Sequence, residues 1–290
     1  MEAFIDHFLA SLPNGGIYAS VALALVVIYQ ATHHINFAQG EMAVFSTYVA
    51  WMLIEAGLGY WAAFALTLAL SFALGMAIQY FVLRPLNNAP KLSIVVTSIG
   101  LLMIFHGLAG WVFGHTLKAF PSPFPSDAWY GSPNMSAHAV GAVFVTMVAV
   151  VVLFLFFRLT KVGLAIRAAA YNPDSASLVG ISVGAMLMLG WGLAAALGAV
   201  AGMMAAPVVY LSPEMMGGVL LYAFAGAVLG GISSPIGAVV GGMLVGIVES
   251  LASVYLVGTE FKLTVALVII VGVLLVRPWG LFGKPVVRRV

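Results

Sequence analysis

Residues 15–57, GGIYASVALALVVIYQATHHINFAQGEMAVFSTYVAWMLIEAG, contain two apolar segments joined by a polar break. The apolar segments are 15–31 and 42–57, and the break between them is HHINFAQGE (33–41). Each segment is somewhat shorter than the ~20 residues that a helix needs to cross the hydrocarbon core of a bilayer. Because a broken helix exposes backbone polar groups, a bilayer tolerates it only against protein or a wet cavity. The stretch therefore predicts a broken or re-entrant membrane helix.

A second region of the chain has the same organisation. Apolar segments at 217–231 and 238–254 flank the break ISSPIG (232–237). Paired, interrupted hydrophobic segments in the two halves of a chain are typical of a transporter and indicate its substrate site. We therefore predict two broken or re-entrant segments in an internal-repeat arrangement.

The composition of the whole chain places it in a membrane. Of 290 residues, 63% are hydrophobic and 7% are charged, and the mean hydropathy is +1.13. Soluble domains carry about 25% charged residues, because they need a hydrated surface. The net charge of +2 is too small to suggest nucleic acid as a partner. We predict an all-α, polytopic integral membrane protein with one transmembrane domain (1–290), surrounded by lipid and with further spans at 61–83, 93–113, 138–157, 184–210 and 262–276.

The basic residues predict the orientation of the chain. Nine of the eleven lysines and arginines lie in three segments, Arg84–Lys91, Arg158–Arg167 and Arg277–Arg289. Cytoplasmic loops carry such an excess of positive charge, and the number of spans between the segments returns the chain to one side each time. We expect a multi-pass protein of the bacterial inner membrane with a cytoplasmic C-terminus, an external N-terminus and an external loop at 114–137.

Both breaks end in residues that favour the start of a helix. Asn36 is a candidate N-cap with Gln39 closing a capping box, and Ser234 is a candidate N-cap with Pro235 at the first helical position. Two helix N-termini near the membrane centre present free N–H groups and partial positive charge, which suit a carboxylate or a urea oxygen. The alternative is that both breaks are tight bends whose glycines serve helix packing.

No set of residues indicates catalysis or a metal site. His33 and His34 are adjacent and point about 100° apart on a helix, so they cannot chelate one ion together. Glu41 and Glu249 lie in or near apolar segments, where carboxylates are functional candidates by default, but a structural role is the commoner one for both. The sequence predicts neither an enzyme nor a cofactor bound by this chain, and any ATP must be bound by partner subunits.

The segment 158–183 is only partly apolar and lies on the predicted cytoplasmic side. It predicts a helix at 163–171 and a second helix that is capped by Asn172, has Pro173 at its first position and ends at Gly180. The apolar residues of the second helix fit either a surface that binds a partner or packing against the ends of the spans.

The chain resembles the LivH-type permeases of branched-chain amino acid ABC importers over nearly its full length. The order and spacing of five stretches carry this resemblance: GGIYASVALALVVIYQATHHINFAQGEM (15–42), LRPLNNAPKLSIVVTSIGL (83–101), TKVGLAIRAAAYNPDSASLVGISV (160–183), AFAGAVLGGISSPIGAVVGGMLVGIVE (223–249) and RPWGLFGKPVVRR (277–289). Gln39 stands where the family commonly has histidine, so a titratable role there is in doubt.

The resemblance implies a subunit of an ATP-driven importer that moves branched-chain or related amino acids. Its partners would be a second, LivM-like permease, two cytoplasmic ATPase subunits and a periplasmic substrate-binding protein. The segment 158–183 would couple to an ATPase through Arg167, Ala169, Ala170, Asp174, Leu178 and Gly180. The candidate substrate pathway consists of Asn36, Gln39, Gly40, Gly231, Ser233, Ser234 and Gly237. The alternative is an ion-coupled carrier or a channel for a small polar solute such as urea or an amide.

Overall fold

The computed structural model describes residues 2–32, 34–86, 89–125 and 136–283. This part of the chain is almost entirely helical, and a β-bridge pairs Lys118 with Leu211. The helices are α1 (Glu2–Thr32), α2 (Gln39–Glu55), α3 (Tyr60–Ile78), α4 (Lys91–Phe113), α5 (Ala137–Leu159), α6 (Lys161–Tyr171), α7 (Pro173–Leu178), α8 (Val183–Val209), α9 (Met215–Gly230), α10 (Pro235–Ala252) and α11 (Lys262–Val276). Short π- and 3-10 turns extend α3 to Leu86 and connect α10 to α11.

Seven helices in the described part of the chain are long and apolar enough to cross a membrane. The all-α, polytopic membrane bundle predicted from the sequence is therefore confirmed. The five full spans predicted from the sequence correspond to α3, α4, α5, α8 and α11.

The first apolar segment is longer than we predicted. Helix α1 has 31 residues and contains Pro13, so 15–31 is the second half of a full-length span and not a short segment. The polar N-terminal residues join the helix because the start of α1 packs against the end of α10. Asn14 Nδ2 lies 3.4 Å from Ser250 Oγ, and the rings of Phe4 and Tyr255 are 6.2 Å apart. These tertiary contacts outweigh the weak local preference of the sequence.

The described basic segments lie together at one end of the bundle, which we call the basic end. The end of α3 and the first turn of α4 share a cavity of about 300 Å³ with α6. Arg158 and Arg167 share a second cavity with Ser234, at the start of α10. Arg277 follows α11, whose continuation pairs with the end of α9. Lys284, Arg288 and Arg289, which complete the third segment, lie outside the described residues.

The N-terminus lies at the other end of the bundle, as the span count predicts. The connection after α4 also lies there, because Lys118 and Leu211 exchange backbone hydrogen bonds of 2.9 and 3.0 Å. Phe120 is buried and its ring packs edge-on against Tyr60, at the start of α3. Residues 126–135 of the predicted external loop lie outside the described part of the chain.

Helices α9, α10 and α1 pack through small residues. A Cβ on Gly242 of α10 would lie 2.5 Å from the Cα atom of Ala19 on α1. A Cβ on Gly226 of α9 would lie 2.5 Å from the Cα atom of Gly242. Small residues let membrane helices approach to backbone contact. Helix α9 ends at the basic end, where α10 begins. Residues 235–257 are long and apolar enough to cross a membrane, whereas α9, with 16 residues, is shorter. The re-entrant form of the region 217–254 stays a prediction. The internal-repeat arrangement stays a prediction.

Candidate substrate pathway and coupling segment

The first break is held by two buried amide side chains. Asn36 Oδ1 accepts a hydrogen bond from the N–H of Ala38 at 3.0 Å, and Ala38, not Asn36, is the N-cap of α2. Gln39 Nε2 donates to the carbonyl oxygen of Ala194 at 2.9 Å, and Gln39 Oε1 lies 3.4 Å from Asn36 Nδ2. The predicted capping box is therefore wrong. Gln39 is fully buried, so both its amide nitrogen and its amide oxygen need hydrogen-bond partners. A capping box would pair only the oxygen, whereas here the nitrogen also finds an acceptor, on α8.

The first break lies inside the bundle. Ala194 and Gly198, both near the middle of α8, flank the Gln39 side chain, and a Cβ on Gly198 would lie 2.5 Å from Gln39 Nε2. Helix α2 therefore begins about half-way along α8 and runs to the end opposite the basic end.

The second break is a tight turn whose cap agrees with the prediction. Ser234 Oγ accepts a hydrogen bond from the N–H of Gly237 at 3.0 Å, and Pro235 is the first residue of α10. Gly231, which follows α9, has a φ of +105°, a left-handed conformation that favours glycine. The turn thus joins α9 and α10 in four residues.

The second break lies at the basic end, so the predicted position of its helix N-terminus near the membrane centre is wrong. The chain after α11 returns to this turn, where the N–H groups of Leu281 and Phe282 donate to the carbonyls of Leu229 and Gly230 at 2.8 and 2.9 Å. These two bonds satisfy carbonyls that the last turn of a helix leaves free. The sequence pattern predicted the turn but contained no signal for this distant contact.

The structure places the candidate pathway residues in two groups. Asn36, Gln39 and Gly40 are buried within the bundle, whereas Gly231, Ser233, Ser234 and Gly237 form the turn at the basic end. Gln30 near the end of α1 contacts the second group, because its Nε2 donates to the carbonyl oxygen of Ser233 at 2.8 Å.

The helix that starts beside α2 is α9 and not α10. A Cβ on Gly40 would lie 3.4 Å from Cβ of Met216, in the first turn of α9. The N-termini of α2 and α9 therefore approach each other inside the described part of the bundle. This pair differs from the predicted pair, α2 with α10, because α10 starts at the basic end.

Sequence reasoning missed the partners of Glu41. Glu41 Oε2 lies 3.4 Å from Nδ1 of His106 on α4. The rings of His106 and His115 are 6.4 Å apart, and His115 Nδ1 lies 2.9 Å from Oε1 of Glu214, just before α9. This hydrogen bond holds the pKa of Glu214 below its usual range. The only sequence signal was a histidine within an apolar span, because its partner is 65 residues away in the chain.

Glu249 also has its partner on another helix. Its carboxylate is fully buried in α10, and Lys262 Nζ at the start of α11 lies 3.5 Å from Oε1. The carboxylate thus joins two neighbouring spans and does not extend to the bundle surface. This arrangement fits the structural role that we expected for it.

The segment 158–183 forms two short capped helices, as predicted. Thr160 Oγ1 caps α6 by accepting from the N–H of Gly163 at 2.9 Å, so α6 begins two residues earlier than the predicted 163. Asn172 Oδ1 caps α7 by accepting from the N–H of Ser175 at 3.0 Å. Gly180, with a φ of +84°, ends it.

The predicted coupling residues divide into exposed and buried ones. Ala169 and Ala170 are buried on the inner face of α6, so they cannot contact a partner directly. Arg167 and Asp174 are exposed, and so are three apolar side chains at the basic end, Tyr171, Leu178 and Val179. We call these three residues the apolar patch.

A family model described as "Branched-chain amino acid transport system / permease component" matches residues 8–274 of the chain. The chain belongs to this permease family. This membership makes the protein a transport permease and not an enzyme, and it does not favour an ion-coupled carrier or a channel.

The permease matches curated relatives over nearly its whole length. It is 33% identical to the high-affinity branched-chain amino acid transport system permease protein LivH of Escherichia coli (strain K12), over 99% of this chain and 98% of the relative. It is 30% identical to BraD of Pseudomonas aeruginosa, over 99% of both chains. A probable LivH of Methanocaldococcus jannaschii is 28% identical over 91% of this permease and 87% of the relative.

One solved structure resembles the fold of the permease. PsaBC from Streptococcus pneumoniae in complex with Fab superposes with a TM-score of 0.52 and 14% sequence identity, covering 96% of this chain and 97% of that chain. At this identity the likeness concerns the fold alone.

Proposed function

We propose that this permease is one of two membrane subunits of an ATP-driven importer for branched-chain or related amino acids in the bacterial inner membrane. The second subunit is a LivM-like permease, and two cytoplasmic ATPase subunits bind and hydrolyse ATP. A periplasmic binding protein delivers the substrate. Family membership and the names of the relatives support this substrate class.

The basic end of the bundle faces the cytoplasm in this proposal. The positive-inside rule supports this orientation, because Arg84, Arg158, Arg167 and Arg277 all lie at or beside that end. The N-terminus and the loop that follows α4 then face the periplasm, where a binding protein would dock.

The observation that carries the proposal is the apolar patch. Packing against the ends of the spans, the other explanation for its residues, does not hold for Leu178, which is 87% exposed. Exposed apolar side chains at the ends of two short, capped helices fit a surface that binds another protein. Arg167 and Asp174 flank the patch and add charges for orientation. We infer that this surface binds an ATPase subunit, with Ala169 and Ala170 supporting it from within and Gly180 ending α7.

The two groups of candidate pathway residues have different roles in this proposal. Asn36, Gln39 and Gly40 line the narrow part of the path inside the bundle, where no bulk water replaces a missing hydrogen bond. Gly231, Ser233, Ser234 and Gly237 line its cytoplasmic exit. The link from Gln30 to Ser233 connects the exit to the end of α1.

Co-purification tests the proposal. The permease is expressed with the genes encoded beside it, purified in mild detergent and assayed for associated ATPase activity. We expect a second permease and ATPase subunits with the wild type and their loss with Arg167→Glu or Leu178→Asp. Leu117→Asp is the matched control, because Leu117 is 70% exposed at the opposite end. A chain that purifies alone and moves solute in liposomes without ATP would overturn the proposal.

A further inference from the structure

Four ionisable side chains form a row that the family assignment does not explain. Glu41, His106, His115 and Glu214 come from α2, α4, the loop after α4 and the residue before α9, and we call them the Glu–His row. Exposure rises along it, from 11% for the Glu41 side chain and 39% for His106 to 64% for His115 and 57% for Glu214. The row therefore leads from inside the bundle to the end that bears the N-terminus.

The row cannot face lipid. Helix α4 exposes Met103, Ile104 and Trp111, as a lipid-facing or subunit-facing helix does. A charged residue at the centre of a membrane helix costs about 2.5–3.5 kcal/mol even on the most lenient scales. The half-exposed His106 and its glutamate must therefore meet water or a second subunit. Gly217, near the start of α9, has open space where a side chain would be, which leaves room beside the row.

The two carboxylates of the row have no strong cationic partner. Among the described residues, neither Glu41 nor Glu214 forms an ion pair with a lysine or arginine. Lys118 pairs its backbone with Leu211 but places Nζ over the ring of Trp51, 4.6 Å from the centroid. Glu214 is the N-cap of α9, yet its side chain makes no capping hydrogen bond. Neither ion pairing nor capping thus accounts for these carboxylates.

Two further features lie beside the Glu–His row. Gly110 lies under the His115 ring, and a Cβ there would lie 2.5 Å from His115 Nε2, so the ring needs this glycine. Tyr48 is fully buried within electrostatic range of Glu214, and its hydroxyl has no hydrogen-bond partner among the described residues. A buried hydroxyl without a partner is unfavourable unless a ligand or water satisfies it.

We propose that the Glu–His row receives the ammonium group of the amino acid as it enters the permease, an inference that rests on the proposed function. A primary ammonium has three donors and one positive charge, which match two carboxylates that are each held by one imidazole. The row does not suit a metal ion, because the described residues contain no group of three histidine, aspartate or glutamate side chains placed to chelate one. The aromatic rings of Phe45 and Phe105, 5.5 Å apart beside Glu41 and His106, offer an apolar wall for an aliphatic side chain.

Uptake by the complete importer in proteoliposomes tests the row. We expect Glu41→Gln and Glu214→Gln to lower ATP-driven leucine uptake by about tenfold or more, the effect of losing a hydrogen bond to a charged group. Glu55→Gln, which removes an exposed carboxylate at the end of α2, should leave uptake unchanged. Gly110→Ala should lower uptake by displacing His115, whereas Gly107→Ala, which has open space, should not.

Ligand competition identifies the group that binds. Radiolabelled leucine is bound to the permease–ATPase complex in nanodiscs without the binding protein. Isoamylamine, which keeps the ammonium, should compete, and isocaproate, which keeps only the carboxylate, should not. The inference is overturned if isocaproate competes equally, if leucine does not bind, or if the glutamine variants transport like Glu55→Gln. In each of these cases the purified complex is also checked for its ATPase subunits. If they are present, only the inference on the Glu–His row fails; if they are absent, the proposed function is contradicted.

Discussion

The two breaks have similar sequence patterns, but side chains hold the first break and backbone groups hold the second. Inside the bundle, the side chains of Asn36 and Gln39 make the hydrogen bonds, including one to α8. At the basic end, backbone groups predominate, because the chain after α11 pairs with the end of α9 and glycines pack against each other. Asn36 and Gln39 are buried, so their polar atoms need fixed partners, whereas at the end of the bundle solvent can replace such partners. Polar side chains are thus more sensitive to substitution in the first break, whereas glycines are the sensitive positions in the second.

The largest expected effect is that of Gly230→Ala, which tests whether backbone packing holds the second break. A Cβ on Gly230 would overlap the carbonyl oxygen of Gly237, and neither backbone can move without separating α9 from α10. We expect a loss of about 3 kcal/mol of stability, the upper part of the usual range for overpacking. The measurement is thermal unfolding of the purified permease in detergent.

Gly272→Ala is the matched control for this prediction. Gly272 lies in α11 and has open space where a Cβ would be. Its replacement should leave the unfolding temperature unchanged or raise it slightly, because alanine favours a helix more than glycine does. Equal unfolding temperatures for the two variants would contradict the role of backbone packing.

Gln39→Leu should have the next largest effect and tests the first break. Leucine has a similar volume but cannot donate to the Ala194 carbonyl or accept from Asn36, so the buried Asn36 amide loses a partner. We expect a loss of about 1–3 kcal/mol, the cost of an unsatisfied buried polar group. Gln39→His, which retains a donor, should lose less. A leucine variant as stable as wild type would show that these amide bonds do not hold the break.

Ser234→Ala tests the cap of α10 and should have a smaller effect. The Ser234 hydroxyl is the acceptor for the N–H of Gly237, and its loss costs typically about 1 kcal/mol. Denaturation in detergent measures the loss of stability of Ser234→Ala and of Gln39→Leu, with both variants at the same lipid content. If Ser234→Ala destabilises more than Gln39→Leu, the two breaks are not held in the different ways that the structure indicates.

Local signals in the sequence predicted most of the fold. Apolar length identified five spans, and the distribution of arginines and lysines identified the basic end. Short-range caps were also predictable, because Asn172 and Ser234 bond to residues three positions ahead in the chain. These features depend only on neighbouring residues.

The site was less predictable because its contacts join distant residues. The partner of Gln39 is 155 residues away in the chain, and His106 is 65 residues from Glu41. The second break also contacts the chain after α11, which forms hydrogen bonds to the end of α9. No local sequence pattern predicts these bonds. One sequence cannot show such pairs, since a glutamine or a histidine alone does not indicate which helix it will meet.

Ser233→Ala should have the smallest effect and sharpens the contrast between the breaks most directly. Ser233 is exposed at the basic end, and Gln30 bonds to its backbone carbonyl, which the substitution keeps. Stability should therefore change by less than about 0.5 kcal/mol, as for most surface substitutions. Uptake should stay close to wild type, because water at a cytoplasmic exit replaces one hydroxyl. A strong loss of uptake at unchanged stability would instead place this hydroxyl on a narrow part of the path, and the two breaks would then share one role despite their different construction.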